Sequence, residues 1–123
     1  MVKEKAKTLT RRGLPAEIRA AVKAGEDKKA EGLCVLDLRS LSSFTDFFVI
    51  MTGNSSRQNL ALMEGVEAEL KKSGLRPLSV EGRETAEWVL MDYGFFLVHV
   101  FSPGAREYYS LDKLWGDAPR LQF

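Results

Sequence analysis

The chain has almost none of the side chains on which nucleophilic enzymes and zinc proteins depend. Its 123 residues include one histidine, His99, and one cysteine, Cys34. One thiol cannot form an internal disulfide, and one thiol with one imidazole cannot supply the usual set of zinc ligands. Both residues lie in apolar segments, where a structural histidine and a small buried thiol are commoner than a base and its nucleophile. The sequence therefore argues against a nucleophilic triad and against a zinc site.

Paired carboxylates are missing as well. Two-metal phosphoryl transfer needs acidic side chains clustered at strand ends, and the chain contains no Asp-x-Asp pair. Asp37, Asp46 and Asp92 each occur singly in or beside a predicted strand. We therefore expect a protein that is not an enzyme and that needs no metal or cofactor.

Long hydrophobic runs are also absent. The longest, residues 47–51 and 95–101, are far too short to span a bilayer. The charged first residues are not followed by the apolar core of a secretory signal. Together with the unpaired cysteine, these absences predict a cytoplasmic protein with no membrane partner.

The net charge of +1 hides an asymmetry along the chain. Residues 1–33 hold nine Lys/Arg and five Asp/Glu, whereas residues 34–123 hold nine and twelve. We predict a flexible leader over residues 1–12 and one folded domain over residues 13–123. The basic leader is either solvated or in contact with phosphates. The mildly acidic domain favours a basic protein over nucleic acid as its partner.

Hydrophobic periodicity predicts eight elements in the order α-β-β-α-β-β-β-α. The helices start near Leu14, at Ser55 and at Pro103, and Ser55 with Gln58 has the spacing of a capping box. The strands are residues 33–38, 46–52 and 77–81 and the two arms of a hairpin in residues 87–101. The strand, helix and strand within residues 46–81 predict a parallel pair. We predict an α/β single domain with a mixed five-stranded sheet and helices mainly on one side.

The hairpin is the most informative segment. A two-residue Tyr93-Gly94 turn suits twisted strands, because Gly94 can adopt a positive φ. That turn would pair Asp92 with Phe95, Leu90 with Leu97 and Trp88 with His99. One face then carries the mixed set Trp88, Leu90, Asp92, His99 and Phe101, and the other carries the apolar set Val89, Met91, Phe96, Val98 and Val100.

Trp88 on the mixed face has two interpretations. A tryptophan on a sheet is commonly a core residue. If helices cover only one side, however, the face that carries Trp88, Leu90 and His99 is open and requires a partner. Trp88 would then be an exposed anchor of the kind enriched at interfaces.

The loop at residues 53–57 also has two interpretations. A glycine after a strand, followed by a helix N-terminus, can hold a phosphate, and Arg57 would strengthen such a site. The loop lacks the glycine pattern of dinucleotide or triphosphate loops, and helix capping explains Ser55 without a ligand. A nucleotide- or phosphate-binding protein, or a nucleotidyltransferase-like enzyme using Gly53 to Arg57, is therefore the alternative function.

Three strings together resemble the ribosomal silencing factor family, also called Iojap. They are SSFTDFFVIMTGNSSRQNL at residues 42–60, VEGRETAEWVLMDYGFFLVHVF at residues 80–101 and REYYSLDKLW at residues 106–115. They match the family's Thr-Gly-x-Ser-x-Arg-Gln, Asp-x-Gly, Val-His-Val and Arg-x-x-Tyr motifs in the expected order. One departure is Asp112, where glutamate is commoner in the family.

The resemblance implies a fold similar to nucleotidyltransferases without their catalytic carboxylates. It also implies binding to the large ribosomal subunit through ribosomal protein L fourteen. There a bound factor would sterically block joining of the small subunit and repress translation when nutrients are scarce. A link to large-subunit assembly and a homodimer complete what the resemblance implies. The basic charge of the leader adds the expectation of a minor contact with ribosomal RNA. The expected partner contacts at positions of the family's motifs are Trp88, Asp92, Tyr93, His99, Arg106 and Tyr109. Leu90, which shares the hairpin face of Trp88, is expected to join them.

Overall fold

A mixed sheet flanked by helices forms the framework of the molecule. The computed structural model describes residues 9–123. The elements follow the order α1 (Ala16–Asp27), β1 (Glu31–Asp37), β2 (Phe47–Thr52), α2 (Ser56–Lys71), β3 (Ser79–Glu81), β4 (Trp88–Asp92), β5 (Phe96–Phe101), α3 (Pro103–Tyr109), α4 (Leu111–Leu114) and β6 (Arg120–Gln122). The α/β class is therefore confirmed. The predicted leader falls mainly on residues 1–8, which lie outside the described residues.

The sheet has six strands in the order β3-β4-β5-β2-β1-β6. The prediction of five strands was wrong because β6, only three residues long, pairs antiparallel with β1 through Val35 opposite Leu121. The single parallel pair is β2 with β5, with Phe47 opposite Phe96. The strand that follows α2 does not lie beside β2. Instead, β3 lies at the edge and pairs with β4.

The two longer helices share one face of the sheet, as predicted, and two short helices lie on the other face. The longer helices, α1 and α2, bury Ile18, Val22 and Val66 against one face. The short helices cover part of the opposite face, where Leu111 and Ala105 pack on Ile50 and Phe101. All six residues of β2 are buried, as expected for a strand covered on both sides. Among residues 9–123, no helix is both long and apolar enough to cross a membrane.

The hairpin β4–β5 has the predicted faces but a different register. Trp88 lies opposite Phe101, and Leu90 lies opposite His99. The two central turn residues are Gly94 and Phe95, since the N–H of Tyr93 donates to the carbonyl of Phe96 at 3.0 Å. Gly94 has φ +91° at the first central position, as a type II′ turn requires. A shift of two residues leaves each side chain on its predicted face because side chains alternate along a strand.

Candidate functional site

Eight ring-bearing side chains form a continuous network on the sheet face covered by α3 and α4. We call it the aromatic surface. It consists of Phe44, Phe48, Trp88, His99, Phe101, Tyr108, Tyr109 and Trp115. Its centre is buried, while Phe44, Tyr108 and Tyr109 at its ends are 61%, 81% and 48% exposed. Large apolar groups thus remain in contact with solvent at both ends of a fixed aromatic network.

Trp88 lies at one end of the aromatic surface and is half-buried. Its ring centroid lies 4.5 Å from that of Tyr109 and 5.0 Å from that of Phe101. The indole Nε1–H donates to Nδ1 of His99 at 3.1 Å. Neither earlier interpretation of Trp88 is therefore complete. The indole packs on His99, Phe101 and Tyr109, while part of its surface remains accessible to solvent.

His99 is a buried, neutral partner of Trp88. It is 3% exposed, and burial lowers the pKa of its imidazole to about 3. Because Nδ1 accepts from the indole, the proton of the neutral ring is on Nε2. That Nε2 has no hydrogen-bond partner among the described residues. The ring therefore orients Trp88 and carries very little basicity at neutral pH.

Leu90 and Asp92 lie on the same face of β4 as Trp88, and Tyr93 does not. Leu90 is half-buried, and Oδ1 of Asp92 accepts from the N–H of Gly94 at 2.8 Å, which stabilises the turn. Tyr93 faces the opposite side and stacks on Phe96, with ring centroids 5.0 Å apart. Burial, with a smaller contribution from Glu67, raises the pKa of Tyr93 to about 12. The expectation that Tyr93 extends the interface from the hairpin tip does not fit its position in the core.

Arg106 is mostly buried and makes its polar contacts within the molecule. Its side chain is 18% exposed and forms an ion pair with Asp112. Arg120 also donates to Asp112, at 3.0 Å. Burial disfavours the carboxylate charge, but these two guanidinium groups hold the pKa of Asp112 below its usual value. Burial raises the pKa of the Cys34 thiol beside them, so the thiol stays protonated.

Sequence reasoning missed Phe44 and Phe48 as members of the aromatic surface. Phe44 was not considered because it follows the serines of a loop, yet its ring lies 6.4 Å from that of Trp115. Phe48 was assigned only to a central strand, and it contacts His99 with ring centroids 4.3 Å apart. The one available signal was an aromatic residue in a serine-rich loop, which is an unusual place for a ring with no partner.

The polar groups of the loop at residues 53–57 form the N-terminal cap of α2. Oγ of Ser55 accepts from the N–H of Gln58 at 3.0 Å, which confirms the predicted cap. Oε1 of Gln58 in turn accepts from the N–H of Asn54 at 2.7 Å. Gly53 has a packing role, since a Cβ there would lie only 2.1 Å from Oδ1 of Asn59. No contact in this loop favours a phosphate ligand over helix capping. Between residues 9 and 123, no group of three or more His, Cys, Asp and Glu could hold a metal ion.

Comparisons with known proteins agree on one family. A family model described as "Ribosomal silencing factor during starvation" matches residues 12–123. A Halalkalibacterium halodurans protein named ribosomal silencing factor RsfS is 42% identical over 105 residues, covering 85% of this chain and 90% of that protein. A Bacillus subtilis protein of the same name is 40% identical over 102 residues, covering 83% and 86%. A crystal structure of a Chromobacterium violaceum protein superposes with a TM-score of 0.79 at 39% identity, covering 81% of this chain and 83% of that chain.

Proposed function

This chain belongs to the ribosomal silencing factor family, and we propose that it is a non-enzymatic factor that binds the large ribosomal subunit and blocks joining of the small subunit. Membership of the family gives the broader role, which is ribosome-associated silencing of translation. The site, the partner and the steric mechanism are the substance of the proposal. The observation that carries it is the aromatic surface, which has solvent-exposed rings and no arrangement suited to catalysis.

The accessible end of the aromatic surface supports a protein partner. Trp88, Leu90 and Tyr109 present a mixed aromatic and aliphatic patch beside the hairpin, and His99 supports Trp88 from below. Aromatic anchors held rigidly by their own neighbours are typical of interface hot spots, because binding then costs little side-chain entropy. We therefore propose that Trp88, Leu90 and Tyr109 contact the partner directly, with Asp92 at the rim and with Tyr93 and Arg106 acting from within the domain.

Charge around this patch supports a basic partner, which we propose is ribosomal protein L fourteen. Glu87 precedes Trp88, is exposed and accepts from Ser102 at the start of α3, and Asp92 lies on the same face of β4 as Trp88. Carboxylates at the rim favour encounter with a positively charged surface and disfavour direct contact with phosphates. The identity of the protein itself rests on the family resemblance.

A bound domain of 13.8 kDa would act by occupying space. If it lies on the surface of the large subunit that faces the small subunit, the two subunits cannot approach. Such a mechanism needs no chemical step. It needs only a bound complex that lives longer than the encounter of the two subunits. A role in large-subunit assembly would use the same contact at an earlier stage.

Four further expectations remain proposals. A homodimer would bury large apolar side chains that a single chain leaves exposed, among them Leu41, Phe44 and Leu114 at 44%, 61% and 70% exposure. The basic leader would make a minor contact with ribosomal RNA. A cytoplasmic location and a likeness to nucleotidyltransferases without their carboxylates follow from the family resemblance.

Co-sedimentation of the protein with purified ribosomal subunits tests the proposal. Wild-type protein should sediment with large subunits, not with small ones, and should reduce the fraction of joined ribosomes. Trp88→Ala should weaken this binding by about 2 kcal/mol or more, roughly thirtyfold in affinity, as expected for a central tryptophan anchor. Leu78→Ala is the matched control, because Leu78 is 76% exposed but is not part of the aromatic surface.

Two outcomes would contradict the proposal. One is equal binding to both subunits, and the other is undisturbed subunit joining at saturating protein. Thermal unfolding of Trp88→Ala separates the two roles of the indole, since a collapse of stability would mean that Trp88 is chiefly a core residue.

A further inference from the structure

Helix α3 carries two of the exposed rings of the aromatic surface, yet it has no buried residue of its own. Tyr108 and Tyr109 form its last turn, and Tyr109 contacts Trp88. Burial of an apolar stripe normally fixes a helix on a sheet. Here the apolar packing is limited to the partly buried Ala105, so polar contacts contribute much of what orients α3 and Tyr109.

Arg106 supplies those contacts one turn before Tyr109. Its Nη1 donates to the carbonyl of Gly32 at 2.6 Å and to Oγ1 of Thr52 at 3.0 Å. Its Nε and Nη2 each donate to the carboxylate of Asp112 at 3.1 Å. A longer contact of 3.6 Å joins Nη2 to Sγ of Cys34. These contacts attach α3 to β1, to β2 and to α4 at once, and we call them the Arg106 clamp.

The Arg106 clamp uses the whole guanidinium group. An arginine side chain has five N–H donors in a planar fork, and each one here has an acceptor within the molecule. None is left for a partner. The residue that follows Tyr109, Ser110, has φ +50° and forms the joint between α3 and α4. Tyr109 is therefore held between the clamp on one side and a left-handed joint on the other.

We infer that Arg106 is a positioning residue for partner binding: the Arg106 clamp fixes α3 so that Tyr109 lies against Trp88, and the accessible patch is complete only while the clamp is closed. The inference rests on the proposed function for its partner and on the contacts above for its mechanism. Arg106 acts through Tyr109 and does not touch the partner.

A double-mutant cycle tests this mechanism. The variants are Arg106→Met, which keeps an unbranched apolar side chain and loses every donor, then Tyr109→Ala, and the two combined. Each is measured by affinity for purified large subunits and by the indole N–H signal of Trp88 in a ¹H–¹⁵N spectrum. Trp115→Phe assigns the two indole signals. Arg19→Met is the matched control, since Arg19 is an exposed arginine on α1 and lies outside the family motifs.

Arg106→Met should shift the Trp88 indole signal and weaken binding at least about fivefold, the loss typical of a residue that matters at an interface. The double variant should bind about as weakly as Tyr109→Ala alone, because both changes remove the same contact. Arg19→Met should change neither measurement. Losses that multiply in the double variant, unchanged binding, or weakened binding with an unmoved Trp88 signal would each overturn the inference.

Two provisions separate this test from failures elsewhere. If Arg106→Met does not fold, Thr52→Val removes one clamp contact with little change of shape and should give the same shift on a smaller scale. If wild-type protein fails to sediment with large subunits, the proposed function falls. The indole signal then still decides whether Arg106 places Tyr109 against Trp88.

Discussion

The buried histidine should make the stability of the domain depend on pH in a way that one substitution removes. Burial lowers the pKa of His99 to about 3 in the folded protein, whereas an unfolded chain has a histidine pKa of about 6.5. Below about pH 6.5 the histidine is therefore protonated in the unfolded state but stays neutral in the folded state. Stability is unaffected by this group above that pH, and it falls steadily as the pH drops toward the folded value.

The size of the effect follows from the difference between the two pKa values. Between about pH 7 and about pH 5, protonation of this one group in the unfolded state lowers the free energy of unfolding by about 2 kcal/mol. Continued to the folded pKa, the loss reaches roughly 5 kcal/mol. For a domain of this size, 2 kcal/mol corresponds to a fall in Tm of roughly 6–10 °C.

His99→Asn is the informative variant. Its Oδ1 can take the place of Nδ1 as acceptor for the Trp88 indole, and the amide does not titrate. The smaller side chain leaves a cavity, but the cost of a cavity does not depend on pH. The carboxylates of the protein are unchanged in the variant, so their contributions cancel when the two pH profiles are subtracted.

Urea unfolding at several pH values between about 5 and 7 provides the measurement. The free energy of unfolding should fall more steeply with acidification in wild-type protein than in His99→Asn, by about 2 kcal/mol over this range. Parallel profiles would refute the reasoning, because they would mean that the imidazole gains its proton as readily in the folded state as in the unfolded one.

Two other predictions concern the β4 environment. Gly82→Ala should destabilise the domain by about 3 kcal/mol or more, since Gly82 has φ +90° and a Cβ there would lie 1.9 Å from the carbonyl oxygen of Trp88. Gly104→Ala, in α3, has no atom near the new methyl group and should raise stability by about 0.5–1 kcal/mol. Equal effects of the two variants on the free energy of unfolding in urea would contradict this account. Tyr93→Phe should leave stability unchanged or raise it by about 1 kcal/mol in the same assay, because the buried hydroxyl has no partner among the described residues. A loss above about 1 kcal/mol would mean that the hydroxyl is hydrogen-bonded.

Much of the fold follows from local patterns that the sequence displays directly. The faces of β4 and β5 could be predicted because alternation depends only on the two-residue period of a strand. The register could not, because Tyr93-Gly94 and Gly94-Phe95 both place the glycine at a central turn position. Packing decides between them: the observed turn lets Tyr93 stack on Phe96 in the core.

Other features depend on contacts between distant segments and leave little local trace. Strand β6 is three residues long, so its periodicity is too short to detect. The parallel partner of β2 was misassigned because the strand after a crossover helix usually returns beside the first one. Arg106 could be identified as a motif residue. Its role needed the structure, because its acceptors lie in β1, β2 and α4.

The central parallel pair has a consequence for how the chain folds during its own synthesis. Each residue of β2 pairs with a residue of β5 about fifty positions later, so closing this ladder costs the conformational entropy of a long loop. During synthesis β2 emerges from the ribosome before β5. The edge of β2 that pairs with β5 is unpaired in that interval. During that time a strand that is apolar on both faces is open to wrong pairing. A ribosomal silencing factor is thus exposed to aggregation while a ribosome is still synthesising it.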